Sequence, residues 1–139
     1  MLDDALRDAL RTRLDASKSA LLAALEGLTE HDFGSDLGDG ETVVHALAAL
    51  AESERRANAE VRGEPLAPAA PGRPVPPQVV HALAGASYRS RRYLEDPGAD
   101  ASSAQALVDG IVDREASLAE RIRLRPPTPP PPVFPVIGR

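Results

Sequence analysis

Leu2, Leu6, Leu10, Leu14, Leu21, Leu25 and Leu28 stand three, four or seven residues apart, with Ser17 on the same line. Only an α-helix gathers such a series onto one face, because residues three and four apart stack above one another at about 3.6 residues per turn. The spacing predicts a long helix over about 3–28, with Arg7, Arg11 and Asp15 elsewhere on its surface and Gly27 near its end. A helix striped on one side is marginal alone in water and must bury the stripe against partners.

Three further stripes supply those partners. Over about 42–62 the apolar line is Val43, Ala46 with Leu47, Leu50, Ala57 and Val61, and Glu52, Glu54, Arg55, Arg56 and Glu60 are read as its outer face. Thr42 is a suitable N-cap, and Gly63 and Pro65 end the segment. Over about 77–95, opened by Pro77, the inner side is read as Val79 with Val80, Leu83 with Ala84, Ser87, Arg91 and Leu94. The last stripe, from Ser102 or Ser103 to about Leu124, is Ala104, Leu107 with Val108, Ile111, Leu118 and Ile122.

The breaks between these segments are equally legible. Gly34, Gly38 and Gly40 mark 29–41 as a loop, and Asp96-Pro97-Gly98 is a turn. Prolines at 65, 68, 71, 74, 76 and 77 forbid a helix across 64–77, since proline lacks the amide donor. A connector of that length can run the length of a bundle as a crossover. No segment alternates as a strand does, and no fixed repeat is present. The expected fold is all-α, a four-helix bundle in one domain over 1–125, followed by a proline-rich tail over 126–139.

Composition narrows the function classes. The chain has 139 residues, 42% of them hydrophobic, with 24 alanines, two Phe, two Tyr and no Trp, so its core must come from small side chains closely packed. Without cysteine there is no disulfide scaffold, thiolate metal site or cysteine nucleophile. The charged, amphipathic start MLDDALRDAL is unlike a secretory signal, and no apolar run approaches the roughly 20 residues that span a bilayer. A cytoplasmic protein with no membrane partner is expected. A formal charge of −5 argues against a nucleic-acid partner. The basic groups Arg55-Arg56, Arg89/Arg91/Arg92 and Arg121/Arg123/Arg125 read as solvated faces and helix C-termini. Of Tyr88 and Tyr93, five residues apart, one is expected to pack and the other to be exposed.

The run Thr42-Val43-Val44-His45-Ala46-Leu47-Ala48-Ala49-Leu50-Ala51-Glu52-Ser53-Glu54-Arg55-Arg56 resembles the second-helix signature of the DinB-like bundle proteins, roughly W-S-V-x-x-x-x-x-H-L-A-E-x-E-R. Leu28-Thr29-Glu30-His31-Asp32-Phe33 resembles the family's L-T-x-E-D-L exit from helix one. Ile111-Val112-Asp113-Arg114-Glu115-Ala116-Ser117-Leu118-Ala119-Glu120-Arg121-Ile122 looks like its L-x-x-H-E-x-x-H-x-x-Q-I. The resemblance covers roughly residues 2–124 and implies a DinB-like topology, with helices two and four antiparallel and copies paired as a homodimer. In that family three histidines, one on helix two and an H-x-x-x-H pair on helix four, hold a divalent ion that activates a thiol cofactor or water. The matching positions here are Ala49, Arg114 and Leu118. The resemblance therefore implies the scaffold and argues against the metal.

The chain's own histidines are the candidates for a relocated site. His45 precedes Ala49 by one turn and reads as an exposed first-turn residue; His81 reads as a solvated or capping residue, and His31 as a loop residue. Glu115, beside Arg114, is either a polar residue at an old pocket or a surface ion pair, with the surface pair favoured. No phosphate loop or nucleophile elbow is present.

In the tail, Pro129 to Pro132 favour polyproline II, while Val133, Phe134, Val136 and Ile137 suit docking on the parent bundle or a second copy, beside a free tail or a foreign partner. The function expected is a diverged, metal-free bundle without cofactor or catalytic residues, serving as a binding or interaction module. The alternatives are a metal- or thiol-dependent transferase or hydrolase with a relocated site built on His45, His81 and carboxylates, and a carrier holding a small molecule between the helices, in an apolar cavity lined by Ala49 and Leu118.

Overall fold

A computed structural model describes residues 2–66, 68 and 74–125. The whole tail, with its expected polyproline run, and part of the proline-rich connector lie outside the described residues. Four long helices, α1 (Asp4–Leu25), α3 (Val43–Arg62), α4 (Pro76–Leu94) and α5 (Ala101–Arg123), carry the fold, with one short helix, α2 (Glu30–Phe33), between the first two. Among the described residues there is no strand, only an isolated bridge between Asp36 and Thr42.

Local chemistry sets the ends. Asp3, Thr42 and Asp100 stand in extended conformation before α1, α3 and α5, and each side chain accepts a first-turn amide. Helix α4 has no such cap and begins on Pro76-Pro77, whose missing amide would be unpaired there in any case. Gly63 closes α3 in the left-handed region at φ 65°, its amide reaching Ala59 and Glu60 carbonyls.

The order of cross-helix contacts gives the directions. Helix α1 runs parallel to α5, since Arg13 meets Asp109 and Ser17 meets Glu115. It runs antiparallel to α4: Arg7 donates to the Leu94 carbonyl at 2.7 Å, Arg11 pairs with Glu95 and Asp15 with Arg91. Helix α3 lies parallel to α4, with Leu47 packing near Val79 and Leu83 while Arg62 stacks over the Tyr93 ring. A parallel pair needs its connection to return along the bundle, and the chain that links α3 to α4 here is the proline-rich stretch, part of which lies outside the described residues. Helices α3 and α5 are antiparallel: Glu41, just ahead of α3, pairs with Arg121 near the end of α5.

The core has two halves. One holds Leu21, Val43, Leu47, Leu50, Val79, Leu83, Leu118 and Ile122; the other holds Leu10, Leu14, Tyr93, Leu94, Leu107, Val108 and Ile111. Tyr93 packs and Tyr88 is exposed, as expected of the pair.

Several sequence expectations are corrected. The 29–41 loop contains α2, because Thr29 and Asp32 form a reciprocal capping box that nucleates one turn before the glycines begin. On α4, Val80, Ala84 and Arg91, all read as inward, are exposed, and Arg91 reaches across to Asp15 on α1. Glu54, read as outward, is buried, and so is Glu115, for which a surface pair was favoured. The reason is common to both glutamates: a single cation from another helix meets them inside the bundle.

Candidate functional site

A layer of polar side chains crosses the bundle between the two apolar halves. Glu54 and Asn58 come from α3, Ser90 from α4 and Glu115 from α5, each 0–1% exposed, and α1 adds Ser17 and Lys18. Lys18 is the one lysine in the chain. Its ammonium lies 3.6 Å from Glu54 Oε1 and in closer contact with Glu115 Oε2. Ser17 donates to Glu115 Oε1 at 2.9 Å, and Ser90 donates to Glu54 Oε2 at 2.7 Å. Asn58 Nδ2 in turn donates to Ser90 Oγ at 2.8 Å and to the Glu54 carbonyl at 3.0 Å.

Every one of these residues sits at core spacing on its helix. Glu54 follows Leu50 by four residues and Asn58 follows by four more; Glu115 stands four after Ile111 and three before Leu118. Buried carboxylates are costly unless paired, so the layer depends on the ammonium they share.

Burial pushes the Glu54 carboxyl above its ordinary value near 4.5; Lys18 and the Ser90 hydrogen bond oppose that, and the neighbouring charge of Glu115 adds to it. A carboxyl raised in the folded state stabilises the fold below its unfolded pKa, and that contribution is lost as pH rises through the folded pKa. Carboxylates held low elsewhere, such as Asp32 and Asp100, act in the opposite sense in acid. The measurement is therefore a difference. The urea-unfolding stability of wild type minus that of Glu54→Gln is expected to fall as pH rises above about 4.5, by at most about 1.4 kcal/mol per pH unit. A difference that stays flat from pH 4 to 8 would show that Glu54 takes up no extra proton in the fold.

Lys18 also borders a cleft with mainly apolar walls. It opens between α1 and α4, holds about 250 Å³, and is walled by Leu22 and Leu25 of α1, Leu47 of α3, and Val79, Val80, Leu83 and Tyr88 of α4. Leu22, Val80 and Tyr88 stand 51%, 44% and 63% exposed, high for apolar side chains so close together. Arg91 flanks the opening and is held there by Asp15.

The positions matched to metal ligands lie elsewhere. Ala49, Arg114 and Leu118 line one shallow groove between α3 and α5, together with Glu41, Asp113 and Arg121. Ala49 and Arg114 are exposed and Leu118 is buried. The Arg114 guanidinium folds back over Gly110, 3.3 Å from where a Cβ there would stand. An alanine, a leucine and a guanidinium offer no lone pair to a cation, so this donor set does not fit the family's ion.

The histidines do not replace it. His45 is exposed in the first turn of α3, its Nδ1 2.6 Å from the Thr42 hydroxyl; His81 is exposed in the second turn of α4; His31 is exposed on α2. Among the described residues no three His, Cys, Asp or Glu side chains form a group able to hold a metal. No described helix is long and apolar enough to cross a membrane.

Sequence reasoning missed Lys18 and Asn58 and misjudged Glu54 and Glu115. The available signal was that polar residues interrupt apolar stripes at matching heights on four helices, beside the one lysine among fifteen arginines.

No family model matches this chain, and no curated protein and no solved structure matches it significantly.

Proposed function

We propose that this protein is a binding module on a DinB-like bundle scaffold that takes a small apolar ligand in the cleft between α1 and α4. The observation that carries the reading is that cleft: about 250 Å³, with apolar walls and the exposed Arg91 at its margin. Its volume lies a little below the roughly 300 Å³ at which small-molecule sites ordinarily begin, which suits a very small ligand. Apolar walls supply affinity, while Arg91 at the margin favours a ligand with one polar end. The scaffold assignment is supported by the motif resemblance, by the antiparallel course of α3 and α5, and by the meeting of positions 49, 114 and 118 in one groove. That groove has polar edges and open access, so the apolar cleft is the better seat for a ligand.

The test is a titration of the full chain with N-phenyl-1-naphthylamine, an uncharged dye that fluoresces in apolar surroundings. Saturable binding is expected. Replacing Leu22 and Val80 together with asparagine should weaken it at least tenfold, and because both side chains are largely exposed, helicity should hardly change. Equal affinity in the two proteins would place the dye elsewhere and sink the proposal.

A further inference from the structure

Helix α5 delivers the chain to one end of the bundle, and the cleft lies toward that same end. The end of α5 shares a core half with Val43 and Val44 at the start of α3 and Val79 near the start of α4. Leu25, the last residue of α1, and Val79 both line the cleft. From Leu124, 73% exposed, the chain continues into 126–139.

That segment has two unlike parts. Residues 126–132 are six prolines and Thr128; then come Val133, Phe134, Pro135, Val136 and Ile137, four of the five apolar and bulky. Neighbouring helix axes lie about 8–10 Å apart, so crossing the end of a four-helix ring from one seam to the opposite one takes roughly 15 Å. Seven residues of polyproline II reach about 22 Å. A spacer of that length can bring Val133 to the cleft.

The cleft also matches a short segment better than a helix. An amphipathic helix needs a groove several turns long, whereas a small pocket beside an exposed tyrosine suits one or two apolar side chains flanked by proline. Tyr88 stands at that margin.

We infer that the chain's own 133–137 segment docks into the α1–α4 cleft and competes there with the ligand. This rests on the cleft being a binding site, and its test separates the two ideas. The full chain is compared with the full chain carrying Phe134→Asp and Ile137→Asp, substitutions outside the bundle. Dye affinity is measured with N-phenyl-1-naphthylamine at several protein concentrations, and amide hydrogen exchange is followed over 22–25 and 79–84.

A tail that occupies the cleft nine-tenths of the time raises the apparent dissociation constant of the dye about tenfold. The variant should therefore bind about tenfold more tightly and lose exchange protection in both segments. Equal affinity and equal exchange in the two proteins would overturn the docking while leaving the cleft's capacity for ligand intact. Absence of dye binding in both, with equal exchange, would remove both readings. A difference that grows with protein concentration would overturn docking within one chain in favour of a second copy.

Discussion

Replacing Lys18 with methionine is expected to cost the fold about 3–5 kcal/mol, the range found when one partner of a buried ion pair is removed. The methionine fills much of the same space, so the loss is electrostatic. Glu115 is fully buried and Glu54 is 1% exposed; without the ammonium, two carboxyls face one another with only the Ser17 and Ser90 hydroxyls donating to them. The readout is the urea midpoint at pH 7, which should fall by at least about 1 M at ordinary denaturant slopes. Adding Glu115→Gln should recover much of the loss, because one of the two carboxyls that face one another is then uncharged. A single-variant cost under about 1 kcal/mol would mean that the layer does not depend on its cation.

Leu47→Ala is expected to lower stability by about 2–5 kcal/mol, the usual cost of emptying a leucine site in a packed core. Leu47 is 1% exposed and packs in the core half that holds Leu21, Leu50 and Ile122, yet it also lines the cleft. Its removal therefore enlarges a space that ligand can enter, and dye affinity should rise about fourfold for each methylene-sized gain in buried contact, at about 0.8 kcal/mol each. Leu21→Ala is the matched control: Leu21 is fully buried in the same half but does not line the cleft. It should destabilise comparably and leave dye binding unchanged. If both variants, or neither, tighten the dye, the cleft between α1 and α4 is not where it binds.

Both predictions depend on features that differ in how far the sequence exposes them. The four stripes, the caps at Thr42 and the proline entry to α4 could be read directly, because helical spacing and backbone donors are local properties. Glu54 and Glu115 were misread for a sound reason. A charged residue is assigned outward by default, since burying it is unfavourable without a partner, and the partner here stands far away in the sequence on α1. Arg91 was misread the other way, because the seam beside it is left open and its head group bridges the outer edge to Asp15.

The amino-acid sequence thus settles the four long helices and, to within a turn, where each stops, since these follow from periodicity, capping and proline within a few turns of chain; the short α2 was not legible in it. It also excludes cysteine chemistry and leaves Ala49, Arg114 and Leu118 without donors at the matched positions. Only the tertiary structure decides that Lys18 meets two glutamates between the core halves, and that α1 and α4 stay far enough apart to leave a cleft. A stripe tells a helix which face to bury but not which neighbour will stand opposite. The energy of a buried charge, like the volume left between two helices, depends on that neighbour.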